Sequence, residues 1–327
     1  MQYFSTRSCR TSEKAQNANF SCTEFSEVAL GQRDAVRLVA MANVHYARIG
    51  DVWKHLPLAE VLTIERPGRY WESHAGSSSY PLTRSPQRDY GVFLFLERAV
   101  RSSVLESSAY RQLFYLRERG KTPPTYPGSP LIAMELLGGV GGRFVFCDLD
   151  GGSLATIAQD ARALGVPSDR VLLVQGEGVS TLEEELARLS EEEASGTFLH
   201  VDPYRPLEPG RGGETPLGLF AHAAQRGVRC MLWYGFDARG ARAVVLEALR
   251  ERIAGGAWYG EVSLRAEDLS EVGFDPGVLG CGIVMCNVGE EALAACSRLG
   301  KGLAHAYAGA RLPNGHDGAL EFEEGNF

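Results

Sequence analysis

Four segments of the sequence place polar or small residues directly after apolar stretches, where a β-strand is expected to end. They are residues 72–76 (ESHAG), 147–148 (CD), 175–178 (QGEG) and 202–204 (DPY). In an open α/β sheet, ligands bind beyond the carboxyl ends of the strands, so these segments are candidates for a binding site. A carboxylate there can accept hydrogen bonds from both hydroxyls of a ribose, and a glycine lets the backbone approach a ligand closely.

Asp148 and Gly76 best match these two roles. Asp148 lies near the end of the second predicted strand, where an adenosine-binding acid is expected, and Gly76 is followed by three serines. However, an acid at a strand end also commonly caps the next helix, and either Asp148 or Asp150 could cap a helix that begins at Ser153. The residues alone leave both interpretations of Asp148 open.

Motifs of other nucleotide-binding and nucleophilic sites are misplaced or absent. Residues 138–142 (GGVGG) precede a predicted strand, whereas the glycines of a dinucleotide-binding fingerprint follow one. The sequence contains neither a GxxxxGK[ST] phosphate loop nor a GxSxG nucleophile elbow. These observations argue against a nicotinamide-dependent dehydrogenase, a P-loop nucleotidase and an α/β-hydrolase.

The elements that must position these segments alternate regularly. Strands are predicted at Arg69–Ser73, Arg143–Leu149, Arg170–Gln175, Thr197–Asp202, Val228–Phe236, Trp258–Arg265 and Gly280–Val288. Helices are predicted at Ser153–Leu164, Thr181–Glu192, Pro216–Gln225, Arg239–Ala254 and Gly289–Leu299. This order predicts a doubly wound, seven-stranded, mostly parallel sheet with right-handed crossovers. The short loop before the last strand predicts that this strand is antiparallel.

The remaining segments surround this sheet. A helix is predicted from Asp51 to just before Pro67, and a long helical stretch from Tyr90 to Arg119 lies within an insertion at about 83–125. The predicted organisation is an N-terminal extension (1–40), one domain with this insertion (41–300) and a C-terminal tail (301–327).

Composition favours a cytoplasmic enzyme. The 327 residues carry a net charge of -8, which argues mildly against a surface that binds nucleic acid throughout. No run approaches the ~20 apolar residues of a membrane span, and the N-terminus lacks the apolar region of a secretory signal. The seven cysteines include no CxxC pair, so buried reduced thiols are expected rather than disulfides or a metal site.

Several separated motifs resemble the RlmJ-type ribosomal large-subunit RNA adenine-N6 methyltransferases. They are Asp51–His55 (DVWKH), Tyr70–Gly76 (YWESHAG), Tyr126–Ala133 (YPGSPLIA), Leu232–Tyr234 (LWY) and Gly280–Val284 (GCGIV), in the family's order. The resemblance covers about residues 43–299. It implies a Rossmann-like class I methyltransferase fold and S-adenosylmethionine as the cofactor.

The resemblance also assigns roles to individual residues. It implies that the cofactor is contacted by His55, His74 and Ser129, that Asp148 holds its ribose, and that Glu177 and Gly178 hold its adenine edge. The catalytic Asp of the family's Asp-Pro-Pro-Tyr motif falls on Asp202, and the substrate pocket would include Lys54, Pro203 and Tyr204. From the residues alone, a hydrogen-bonded interior imidazole is the favoured interpretation of each histidine, and Asp202 could be an N-cap or turn residue before Pro203.

Departures from the family concern the substrate more than the cofactor. The sequence has one proline before Tyr204 where the family has two, Ser78 replaces a glycine, and Ala40 aligns with a tyrosine that helps bind RNA. Together with the acidic net charge, these departures favour N-methylation of a small nitrogen-bearing metabolite. Ribosomal RNA remains an alternative acceptor, and a non-catalytic cofactor-binding or scaffold protein is a second alternative. A basic rim of Arg48, Lys54, Arg205 and Arg211 would favour RNA.

Overall fold

A computed structural model describes residues 45–118, 125–253 and 256–327. The predicted extension (1–40), which includes Ala40, therefore lies outside the described residues. The strands are β1 (Arg69–Glu72), β2 (Ser79–Pro81), β3 (Thr125–Pro127), β4 (Arg143–Asp148), β5 (Val171–Gln175), β6 (Thr197–Val201), β7 (Arg229–Phe236), β8 (Ala257–Leu264), β9 (Gly280–Cys286) and β10 (Leu320–Asn326).

The helices connect these strands and cover the sheet. They are α1 (Ile49–Glu65), α2 (Pro86–Arg88), α3 (Leu94–Ala99), α4 (Ser103–Glu106), α5 (Ala109–Glu118), α6 (Ser129–Leu137), α7 (Gly151–Ala163), α8 (Gly178–Arg188), α9 (Glu191–Ser195), α10 (Pro216–Gln225), α11 (Arg239–Arg252), α12 (Leu269–Val272) and α13 (Glu290–Ala306). None of the helices in the described ranges is long and apolar enough to cross a bilayer.

The main sheet has the strand order β10-β8-β9-β7-β6-β1-β4-β5. Strands β5, β4, β1, β6 and β7 pair in parallel, and β9 is antiparallel to both of its neighbours, β7 and β8. The chain reverses its direction of winding between β1 and β6, so the carboxyl ends of these central strands border the crevice where ligands bind in such sheets. The predicted doubly wound, mostly parallel α/β sheet is confirmed, as is the antiparallel direction of the strand at Gly280–Cys286.

The predicted number of seven strands is wrong by one. Strand β10 lies in the predicted C-terminal tail and pairs antiparallel with β8, from Leu320 opposite Leu264 to Asn326 opposite Trp258. Its sequence, LEFEEGN, carries three glutamates and only two apolar residues, too few for a recognisable alternating pattern. Much of its stability comes from pairing with β8.

The predicted long helix from Tyr90 to Arg119 is also wrong, because the segment is divided into short pieces. A π-helical turn at Asp89–Phe93 contains Gly91 with non-helical backbone angles (φ -77°, ψ -113°). A Cβ atom on Gly91 would lie 2.5 Å from the carbonyl oxygen of Ala47, so the chain passes the residues just before α1 at a distance that only glycine permits. Further along, Ser102 caps α4 by accepting a hydrogen bond from the amide of Leu105.

The predicted helix Thr181–Glu192 is likewise two helices. Helix α8 ends at Arg188, and Ser190 starts α9 with a capping box in which its hydroxyl and the carboxylate of Glu193 each bind the other residue's amide. Two strands absent from the sequence prediction, β2 and β3, form a small antiparallel sheet. It holds the segment before Ser129 beside the turn that follows β1.

Candidate active site

The turn after β1 is fixed to the end of β4 by Asp148. The amide of Gly76 donates to Oδ2 of Asp148 at 2.7 Å, and the amide of Asp150 donates to Oδ1 at 2.8 Å. Gly76 has a φ of +61°, a conformation that favours glycine. Asp150, not Asp148, caps α7 by accepting from the amides of Gly152 and Ser153. Asp148 is thus free of the capping role, and each of its oxygens retains a lone pair for a ligand.

Ser129 opens α6 on the other side of this turn. Its buried hydroxyl donates to Oε1 of Glu72 at 2.5 Å, and the amide of the preceding Gly128 donates to the carbonyl of Ser78 at 2.8 Å. A Cβ atom on Gly128 would lie 2.2 Å from the carbonyl oxygen of Ser77, so the two segments meet in direct backbone contact. The structure therefore brings Ser129 close to the turn that contains Gly76.

The two predicted cofactor histidines occupy different environments. His74 is partly exposed, and its Nδ1 lies 2.8 Å from the hydroxyl of Ser73. His55 is completely enclosed, with Nδ1 2.8 Å from the hydroxyl of Tyr126 and Nε2 without a hydrogen-bond partner. Burial lowers the pKa of both imidazoles; nearby Lys54 lowers that of His55 further, whereas Asp202 partly opposes the effect at His74. Both are therefore neutral at physiological pH.

Glu177 and Gly178 form the start of α8. The carboxylate of Glu177 accepts from the amides of Val179 and Ser180, so it caps this helix. A Cβ atom on Gly178 would lie 2.0 Å from the carbonyl oxygen of Ser73, which shows that α8 begins directly against the turn after β1. Both residues thus border the crevice, and both have a structural role in addition to any contact with adenine.

Asp202 and Lys54 form an ion pair at the carboxyl end of β6. Nζ of Lys54 lies 2.6 Å from Oδ2 of Asp202 and 3.2 Å from Oδ1 of Asp51. Burial alone would raise the pKa of Asp202, but the ammonium of Lys54 outweighs it and holds this pKa below its usual value. Burial alone would lower the pKa of Lys54, and the two carboxylates reverse that effect. Asp202 is therefore a carboxylate and Lys54 an ammonium.

The residues after Asp202 leave the crevice. Pro203 is buried, but Tyr204 is 75% exposed, and Arg205 forms an ion pair with Glu208. Lys54, one of the four cations whose exposure as a basic rim would favour RNA, is buried. Instead, Nζ of Lys54 lies 5.9 Å from the ring centroid of Trp233, a residue of the neighbouring strand β7.

The site also includes His200, which the sequence pattern does not identify, and Glu72, to which it assigns no role. Both are completely buried and face each other in register on β6 and β1. Nδ1 of His200 lies 2.9 Å from Oε1 of Glu72 and 3.1 Å from the hydroxyl of Tyr70, which also donates to Oε2 of Glu72. The available signal was a single histidine inside the apolar run 197–201 (TFLHV).

Other features of the described residues lie away from this crevice. A surface cavity of about 610 Å³ is lined by residues of α11, by Tyr259 and by Glu323, and another of about 570 Å³ is lined by Arg69, Arg143 and their neighbours. Neither contains a predicted site residue. Within the described ranges, no three His, Cys, Asp or Glu residues are placed to hold a metal ion. The five described cysteines are buried free thiols.

The sequence matches no family model and no curated protein. Among solved structures, the chain is similar to a DUF519-family protein from Legionella pneumophila, with a TM-score of 0.67 and 19% identity over 86% of this chain and 98% of that chain. An rRNA methylase from Streptococcus thermophilus matches with a TM-score of 0.37 and 11% identity, covering 75% of this chain and all (100%) of that chain. An O-methyltransferase from Bacillus cereus in complex with SAH matches with a TM-score of 0.39 and 12% identity, covering 78% of this chain and 89% of that chain. The first likeness shows a shared fold.

Proposed function

We propose that this protein is an S-adenosylmethionine-dependent N-methyltransferase, a divergent relative of the RlmJ-type enzymes that it resembles. The observation that carries the proposal is the ion pair between buried Lys54 and partly buried Asp202, which holds a carboxylate at the carboxyl end of β6. The strand order places this end beside the turn after β1. A carboxylate that orients the acceptor nitrogen has to lie beside the cofactor, and Asp202 would meet this requirement.

The residues around the turn fit the cofactor. Asp148 is oriented by two backbone amides and retains the lone pairs needed for ribose hydroxyls. The positive φ of Gly76 lets the turn direct its amide to Asp148, and a Cβ atom at this position would lie 2.8 Å from the hydroxyl of Tyr80. His74 would contact the cofactor from the partly exposed side of the turn. When bound, S-adenosylmethionine supplies an electrophilic methyl group on a sulfonium.

The chain's own residues then have to orient the acceptor nitrogen. Asp202 is held ionised by Lys54, so it can accept an N–H hydrogen bond and direct the lone pair of the amine toward the methyl group. Lys54 also fixes the rotamer of Asp202, because its ammonium bridges Asp202 and Asp51. Holding the reactants in line is worth several kcal/mol without covalent catalysis.

We further propose a small nitrogen-bearing metabolite as the acceptor. Tyr204, the residue that would form the stacking wall for a flipped base, points into solvent. The cation that would begin a basic rim, Lys54, is buried and paired, and Arg205 is neutralised by Glu208. The net charge of -8 also opposes binding to phosphates.

Methyl-tritiated S-adenosylmethionine tests both parts of the proposal. The protein is incubated with the label and either large-subunit ribosomal RNA or the low-mass fraction of a host extract. We expect label in the low-mass fraction, with a rate that depends little on salt. Asp202→Asn serves as the inactive control in both reactions.

Two results would contradict the proposal in different ways. Stoichiometric label in an adenine of the RNA, with binding that weakens steeply as salt rises, would replace the small acceptor by ribosomal RNA. No transfer to either fraction, with the cofactor bound, would favour a non-catalytic scaffold.

A further inference from the structure

A cluster of four buried polar side chains lies just inside the crevice and has no part in the mechanism above. This strand-end cluster consists of Tyr70, Glu72, Ser129 and His200. The carboxylate of Glu72 is at its centre and accepts from the hydroxyls of Ser129 and Tyr70, at 2.5 and 3.1 Å, and binds Nδ1 of His200 at 2.9 Å. Glu72 and His200 have no exposed surface.

The cluster joins three segments that carry different parts of the proposed site. Glu72 directly precedes the turn that contains His74 and Gly76. Ser129 begins α6, and His200 lies on β6 two residues before Asp202. One carboxylate thus connects the cofactor side of the crevice with the strand that carries the acceptor-orienting aspartate.

Stability alone does not account for the cluster. Nε2 of His200 is buried without a hydrogen-bond partner, which costs free energy. Well-packed apolar residues of similar volume are often as stable as a buried ionisable pair, or more stable. In addition, β1 and β6 are already paired in parallel along four residues of β1. What the cluster adds is the link from these strands to Ser129.

We propose that His200 is a positioning residue for the methyl transfer proposed above, on which this inference rests. Its Nδ1–H donates to Glu72 and so holds the carboxylate that orients Ser129. By this link it keeps the start of α6 and the turn after β1 in register with Asp202. His200 itself does not touch the reacting atoms.

Two variants of His200 separate this role from simple packing. His200→Leu keeps the volume but removes the donor, whereas His200→Asn keeps a donor near the position of Nδ1. We expect His200→Leu to weaken calorimetric binding of S-adenosylhomocysteine by about tenfold, equivalent to about 1.4 kcal/mol, because Glu72 would no longer hold Ser129 in position beside the turn after β1. The rate of label transfer at saturating cofactor should fall as well. His200→Asn should recover most of both losses.

The controls use other residues of the same kinds. Tyr70→Phe removes a donor from the same carboxylate without breaking the link to β6, so its effect on cofactor binding should be smaller. His222→Asn breaks a half-exposed imidazole–carboxylate pair with Glu183 and should change neither readout. A lower melting temperature with unchanged binding and transfer in His200→Leu would overturn the inference, as would equal losses in Tyr70→Phe. If the unmodified protein failed to bind S-adenosylhomocysteine, the proposed function itself would fall.

Discussion

Two glutamates of the main sheet are buried to nearly the same degree, at 0% exposure for Glu72 and 3% for Glu261. Each accepts a hydrogen bond from a tyrosine, Tyr70 and Tyr234 respectively. The third partner differs. Glu72 binds His200, whereas Glu261 binds Arg242 at 2.5 Å, and Arg242 also binds Glu323 at 2.6 Å.

This difference in the third partner distinguishes a cluster that stabilises the fold from one that is suited to function. Arg242 is always charged, and its fork of donors satisfies carboxylates from both β8 and β10. We call Tyr234, Arg242 and Glu261 the Glu261 cluster. The strand-end cluster instead has an imidazole partner, His200, whose Nε2 has no hydrogen-bond partner, and it lies beside the crevice. Imperfectly satisfied buried groups are a feature of functional sites more than of structural cores.

The largest effect on stability is expected from a substitution that breaks the Glu261 cluster. Arg242→Leu leaves a buried carboxylate without its cation, so we expect the free energy of unfolding to fall by about 3 kcal/mol. Urea unfolding measures this loss, and calorimetry should show unchanged affinity for S-adenosylhomocysteine. Normal stability, or weakened cofactor binding in a folded variant, would contradict the division between the two clusters.

The next effect concerns the aspartate that the strand-end cluster positions. Asp202→Asn removes the charge that accepts the N–H bond and leaves the cofactor contacts in place. We expect turnover to fall by at least about tenfold, equivalent to roughly 1.4 kcal/mol, with nearly normal cofactor affinity. Single-turnover label transfer measures the rate. Equal loss of binding and turnover would reduce Asp202 to a structural turn residue.

The smallest expected effect is on the pH dependence of stability, and it concerns the buried histidine His55. Burial holds the pKa of His55 below its value in the unfolded chain, so the unfolded state binds a proton that the native state does not. The free energy of unfolding should therefore fall as pH drops below about 6.5, by up to about 1.4 kcal/mol per pH unit for this group. Urea unfolding between pH 7.5 and 5.5 should show a flatter dependence in His55→Asn.

Arg242→Leu provides the control for this pH series. Its stability should be lower than that of the unmodified protein by about the same amount at each pH, because the substitution leaves His55 in place. A flatter curve in Arg242→Leu, or an unchanged curve in His55→Asn, would contradict the assignment of the pH dependence to buried histidine.

Much of the fold could be predicted from the sequence, because each parallel strand is a short apolar run. The segments between these strands carry apolar residues at helical spacing. Strand β10 could not be predicted, because its three glutamates leave too few apolar residues for an alternating apolar and polar pattern. The breaks in the segment after Asp89 depend on the contact of Gly91 with Ala47, which is distant in sequence.

The candidate site likewise contains residues that could be predicted from the sequence and residues that could not. Asp148 and Asp202 could be located because they end predicted strands. The local pattern did not distinguish Asp148 from Asp150 as the helix cap, because both precede the same helix. His200 was missed because a histidine within an apolar strand is most simply a core residue. Only the register of β1 with β6 places it against Glu72.

We propose that S-adenosylmethionine or its demethylated product binds in the crevice beside the Gly76–Asp148 contact, at the carboxyl ends of β1 and β4. Calorimetric titration of S-adenosylhomocysteine, with NAD in parallel, tests it most directly. We predict micromolar binding of S-adenosylhomocysteine, weakened in Asp148→Ala by about 1.5–3 kcal/mol, as expected when a charged hydrogen-bond acceptor is lost. Absence of heat with S-adenosylhomocysteine, or tighter binding of NAD, would contradict the methyltransferase account.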